Sequence, residues 1–144
     1  MDIVVGIGEY AVSDKEEDVL KIYALGTCVA VTMYSPGRRV MGMVLVVLPD
    51  SQLDPERAKR QPAFFADTAV PLLIRKLTVE YGCSSKELQV CLHGGAQSRH
   101  KNDVFTVGER NIEAVCTALK SYGLSCKTTD LRGRFGRSLE GKVA

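Results

Sequence analysis

Two apolar runs, Val29 to Tyr34 and Val40 to Leu48, flank Ser35-Pro36-Gly37-Arg38 and restrict what this chain can fold into. Both are rich in β-branched and apolar residues, so both read as buried strands. The segment between them has turn chemistry and joins them as a hairpin, and Pro49-Asp50 ends the second strand. Ahead of the first run, Leu25-Gly26-Thr27-Cys28 places a cysteine where a tight glycine turn passes into a strand. A nucleophilic thiol needs such a mounting, because attack geometry tolerates little displacement. It also needs a base, and the chain holds only two histidines, His93 and His100.

With 144 residues, 45% hydrophobic and 25% charged, the chain suits one domain with a single sizeable core. Its 19 basic and 17 acidic residues leave a net charge of +2, which gives no electrostatic reason to expect nucleic acid or a membrane surface as partner. No signal peptide and no bilayer-spanning stretch is visible. Five cysteines, an odd count without a CxxC pair, point to reduced thiols and a cytoplasmic protein. Neither histidine lies in a metal-ligand spacing with any cysteine, so no zinc, other metal or cofactor is expected.

Elsewhere the pattern alternates strands and helices. Asp2 to Ile7 reads as a strand closed by Gly6 and Gly8, Ser13 to Asp18 as a charged turn, and Val19 to Leu25 as the approach to Cys28. Ser51 to Pro62 is polar with two prolines and reads as an exposed loop. Ala66, Ala69, Val70, Leu73, Ile74 and Leu77 share one helical face within Phe64–Tyr81, with a kink or break expected at Pro71 and an end at Gly82. Leu88 to Leu92 reads as a short buried strand leading to His93-Gly94-Gly95, and Gln97 to Asp103 as a polar loop. Thr106 to Glu109 fits a capping box that opens a second helix, whose face is Ile112, Val115, Cys116 and Leu119. Leu124 to Thr128 reads as the last strand, followed by a basic tail, Arg132 to Arg137, with an edge of the sheet short or open nearby.

Several pieces occur together and in order: Gly6-Ile7-Gly8-Glu9-Tyr10, Leu25 to Val31, Gly42 through Leu48-Pro49-Asp50, and Ala66-Asp67-Thr68-Ala69. Gly94-Gly95-Ala96, Val107-Gly108-Glu109-Arg110-Asn111, and Asp130-Leu131 with Gly136-Arg137 follow. In this the chain resembles the CheD family of chemotaxis proteins, the chemoreceptor glutamine deamidases. The resemblance implies an α/β (α+β) layered sandwich with mixed sheets and two main helices on one side, similar to the catalytic domain of the cytotoxic necrotizing factor toxins. It implies hydrolysis of receptor glutamine amides through a cysteine thiolate, and binding to chemoreceptors and to CheC, a phosphatase of the response regulator.

By the same resemblance the nucleophile is Cys28. The family's catalytic histidine falls on Leu45, within Gly42 to Pro49, and its catalytic threonine falls on Ile22. Losing the histidine removes a general base and acid worth roughly a hundred- to ten-thousandfold. An apolar replacement also desolvates the thiol, which raises its pKa and lowers the thiolate fraction. A binding protein with its deamidase activity lost is the first reading. The alternative is an active protein-glutamine deamidase using Cys28 with a relocated base such as His93, and a Cys28 redox sensor is a third.

His93 is either that base or a half-buried filler of an apolar slot, the simpler role; His100 lies in the polar loop. Thr27 offers either a hydroxyl beside the thiol or a residue suited to strand entry. Gly94-Gly95 offers either oxyanion amides or a tight turn. Cys83, Cys91, Cys116 and Cys126 read as core or helix-face thiols, and Asn111 as a cap or turn contact. Arg132, Arg134 and Arg137 around Phe135 are too few to indicate nucleic acid.

Overall fold

The computed structural model of the protein describes residues 1–96, 107–131 and 137–143. Its strands are β1 (Asp2–Val4), β2 (Tyr10–Ser13), β3 (Val19–Leu25), β4 (Val29–Ser35), β5 (Val40–Val46), β6 (Gln89–Gly94), β7 (Cys126–Leu131) and β8 (Arg137–Lys142). Its α-helices are α1 (Pro55–Arg60), α2 (Ala66–Arg75) and α3 (Val107–Ser121). The strands assemble into a five-stranded sheet, ordered β2-β5-β4-β6-β7, and a smaller sheet, β1-β3-β8.

The expected hairpin forms the centre of the larger sheet, with β4 and β5 antiparallel and Ala30 opposite Leu45. Alternate residues of a strand face opposite sides, and here both sides are covered. Val29, Val31 and Met33 pack with Leu73 of α2 and Val115 and Leu119 of α3. Ala30, Met43 and Leu45 pack with Leu20, Ile22 and Leu25 of β3. The result is a three-layered α+β sandwich of two helices, a five-stranded sheet and a three-stranded sheet. Gly42 faces α2: a Cβ there would lie 2.8 Å from Leu73 Cδ1, so the glycine lets helix and sheet approach.

Several local expectations need correction. Ser51–Pro62 is no plain loop, because it holds a 3-10 turn at Ser51–Leu53 and the helix α1. Both are capped by aspartates, Asp50 accepting from the Gln52 amide and Asp54 from the Arg57 amide. Pro55 occupies the first helical position, where its missing N–H costs nothing. Helix α2 runs through Pro71 without interruption and passes into a π-helical turn at Lys76–Glu80. The β1 strand stops at Val4, short of Ile7, and the short β2, which the pattern did not show, pairs with β5.

Strand β7 extends past Thr128 to Leu131, and it is not the last strand. Arg137, read as the end of a basic tail, begins β8, which pairs antiparallel with β3 in the smaller sheet. The composition of β8 is poor in β-formers, and its partner decides its conformation. Residues 97–106, including His100 and Thr106, and residues 132–136, including Arg132, Arg134 and Phe135, lie outside the described residues.

Candidate functional site

The bend Gly26-Thr27-Cys28 precedes β4, and two elements, the segment leaving β6 and helix α3, hold its successive carbonyls. Ala96 N–H donates to the Gly26 carbonyl at 2.9 Å and Gly95 N–H to the Cys28 carbonyl at 2.8 Å. The side-chain amide of Asn111, on α3, donates to the Thr27 carbonyl at 3.0 Å. The glycine pair after β6 is required by this packing. Gly94 has φ +100°, and a Cβ on it would run into the Cys28 carbonyl oxygen. The Gly95 and Ala96 amides are thus engaged by backbone carbonyls, as a tight turn requires.

Cys28 is half-buried and packs against the apolar cluster between the sheets, which contains Ile22, Ala30 and Leu45. Burial pushes its thiol above the ordinary range, and its own backbone N–H offsets this only in part. Leu45 is 5% exposed and Ile22 is fully buried. On its outer side Leu45 is held by backbone bonds to the Gly8-Glu9 segment, its N–H donating to Glu9 and its carbonyl accepting from Gly8. The two positions that the resemblance assigns to a histidine and a threonine are thus core residues beside the thiol.

His93 occupies an informative place. Ala30 of β4 stands opposite Leu45 on one flank and opposite His93 on the other. Directly opposed residues share a face, so Leu45, Ala30 and His93 form one row across three strands. Cys28, two residues before Ala30, belongs to the same face. Cys28, in the bend just before β4, packs against the cluster that holds Ala30 and Leu45, and His93 is half-buried. Thr27 contributes a carbonyl to the site through Asn111, and its side chain is half-exposed.

Asn111 is the residue that sequence reasoning undervalued. It is fully buried and binds two strand ends at once, the Thr27 carbonyl and, at 2.9 Å, that of Val47. Its signal was present: it lies four residues before Val115 and eight before Leu119, a polar side chain within an apolar helical stripe.

Cys83, Cys91, Cys116 and Cys126 form no disulfide. Burial raises the Cys126 thiol, and the neighbouring Cys116 and Cys91 thiols add to the effect. Among the described residues no group of three or more His, Cys, Asp and Glu side chains could hold a metal ion. No helix among them is long and apolar enough to cross a membrane. An open groove of about 870 Å³ runs between α2 and α3, lined by Pro49, Pro71, Arg110 and Tyr122, and Cys28 is not part of it.

Comparison with known proteins gives this geometry a context. The family model for CheD chemotactic sensory transduction matches residues 47–144. The chain belongs to the CheD family. A CheD protein of Syntrophotalea carbinolica is 41% identical over 140 residues, covering 96% of this chain and 86% of its own length. The chemoreceptor glutamine deamidase CheD of Thermotoga maritima is 39% identical over 140 residues, 97% of this chain and 85% of its own. Alignments of that length run through Cys28, which lies ahead of the segment matched by the family model. Among solved structures, the hypothetical protein YfiH of Bacillus licheniformis superposes with a TM-score of 0.56 at 10% identity, over 86% of this chain. This chain spans 49% of that structure, and the likeness concerns the fold alone.

Proposed function

We propose that this CheD-family chain is a cytoplasmic, single-domain chemotaxis protein that binds chemoreceptors through the face around Cys28 and acts without hydrolysing glutamine amides. The observation that carries the reading is the apolar enclosure of the thiol. Cys28 packs against the cluster containing Leu45 and Ile22, and burial holds it in the neutral form. A primary amide is a poor electrophile, so a weakly ionised thiol at this position has little means of attacking it. Relatives carry the name chemoreceptor glutamine deamidase, which supports receptors as the partner class. The family resemblance adds a CheC-type phosphatase as second partner. No cofactor or metal enters this reading.

One observation favours a second reading, the active deamidase. His93 stands in the row of Leu45 and Ala30, on the other flank of the nucleophile's strand. In that reading the imidazole takes the Cys28 thiol proton and the thiolate adds to the glutamine side-chain carbonyl carbon. The tetrahedral oxyanion collapses, ammonia leaves with the proton returned by His93, and water hydrolyses the thioester to glutamate. The redox-sensor reading is the weakest, because a thiol raised by burial is a poor target for peroxide.

The test is incubation of the protein with a chemoreceptor cytoplasmic fragment, followed by peptide mass spectrometry and a binding measurement. Binding without glutamine-to-glutamate conversion, unchanged in Cys28→Ala, is the expected result. Conversion that disappears in Cys28→Ala and in His93→Ala would replace the binding reading with the enzymatic one.

A further inference from the structure

A helix holds the Cys28 turn at two points. At the first, Gly108, the second residue of α3, turns its hydrogen toward the chain leaving β6. A Cβ there would lie 2.6 Å from the Gly95 carbonyl oxygen, so only glycine permits this approach. Gly95 and the following Ala96 donate to the Cys28 and Gly26 carbonyls. The helix start is thereby docked on the segment that pins one side of the bend.

At the second point, less than one turn further along α3, Asn111 reaches the other side. Continuing the register of β4 and β5, in which Val29 opposes Val46, places Val47 opposite Cys28. Asn111 Nδ2 donates one hydrogen to the Val47 carbonyl and the other to the Thr27 carbonyl. The amide orientation is forced, because a carbonyl oxygen turned toward two carbonyls would repel both. The consequence is that Oδ1, fully buried, finds no donor among the described residues. A leucine would fill the same space without an orphaned acceptor, but would leave two carbonyls at the open end of the hairpin unsatisfied. The interior accepts an unsatisfied oxygen here in exchange for two satisfied ones beside the thiol.

We propose that Asn111 is the positioning residue of the Cys28 site, its buried amide joining the ends of β4 and β5 and so setting the exposure and direction of the thiol on the face it shares with Leu45 and His93. The placement of Cys28 follows from the clamp itself; its consequence for receptor contact rests on the function proposed above. Asn111 does not touch the reacting face. It acts through the Thr27 carbonyl, one peptide bond away from Cys28.

The test reads the Cys28 alkylation rate with iodoacetamide relative to that of exposed Cys116 in the same sample. In Asn111→Leu, which keeps the volume and removes the donors, this ratio rises by about fivefold or more, the factor expected for one net hydrogen bond lost from the closed turn. Asn111→Gln restores the amide and brings the ratio back to within about twofold of wild type. A merely structural role would follow the melting temperature and not this ratio. An unchanged ratio in a folded Asn111→Leu protein overturns the proposal.

A second measurement needs no variant. In the unmodified protein the Asn111 side-chain amide protons exchange with solvent at least about a hundredfold more slowly than those of exposed Gln52. Rapid exchange would overturn the clamp. Receptor-fragment binding, measured alongside, separates the two claims. A changed thiol ratio in a protein that never binds receptor upholds the positioning role and removes the proposed function. Binding with an unchanged ratio does the reverse.

Discussion

The two faces of the five-stranded sheet bury different chemistry from the same strands. Toward α2 and α3, β4, β5 and β6 present Val29, Val31, Met33, Val44, Val46, Val90 and Leu92, all buried. Toward the smaller sheet they present Ala30, Met43 and Leu45, but also Cys28, Thr32, Cys91 and His93, several of them half-buried. The helical face is a close-packed, mainly apolar interior, with Asn111 at its edge as the buried polar exception. The opposite face is less completely closed, and its polar groups gather near the Cys28 turn. A fold can concentrate its stability on one side of a sheet and leave the other to carry a site.

If that division holds, substitutions on the two faces have separable effects. The largest is expected on the helical side. Leu73→Ala empties a fully buried position against Gly42 and lowers stability by about 2–5 kcal/mol in denaturant titration. The Cys28 alkylation rate of the folded protein stays unchanged. A large change in that rate would show that the faces are coupled and break the comparison.

Gly94→Ala acts from the other side. It places a Cβ against the Cys28 carbonyl at a positive φ, so it costs about 2 kcal/mol or more and alters Cys28 alkylation as well. Loss of stability without any effect on the thiol would mean that the turn relaxes away from the site.

Leu45→His sharpens the comparison further. It introduces an imidazole on the same face as Cys28, stabilises the thiolate, and raises alkylation at neutral pH by about tenfold. Burying the ring costs roughly 1–3 kcal/mol, which equilibrium unfolding would measure. Unchanged alkylation would mean that this position does not address the thiol, and the account of its apolar replacement would fall.

The smallest effect concerns pH. Burial raises the folded pKa of Cys28 above its unfolded value, so the folded state holds the thiol proton more tightly. The associated stability is intact below the unfolded thiol pKa and is lost as pH rises through the folded value. Cys126 contributes with the same sign. Cys28→Ser should flatten, without abolishing, the alkaline decline in the denaturation midpoint. An unaltered slope would place the thiol in solvent.

Much of the scaffold was legible because its causes are local. The β4–β5 hairpin follows from two apolar runs around a turn, and the apolar stripes of α2 and α3 follow helical spacing. The α1 helix was missed because its prolines were read as breakers, although Pro55 stands at a helix start. The β2 and β8 strands were missed because neither is strongly patterned; each forms against a partner already in place.

The sequence by itself determined that a cysteine precedes the first of two apolar runs joined by a turn, and that the chain holds only two histidines. Those are matters of composition and order, and they hold whatever the fold. Only the tertiary structure decided that His93 shares a row with Leu45, because cross-strand register assigns faces, and a shift of one residue would have turned it to the helices. Likewise only the tertiary structure made Asn111 part of the site. Its two partners lie 84 and 64 residues away along the chain, and packing alone brings α3 against the end of the hairpin.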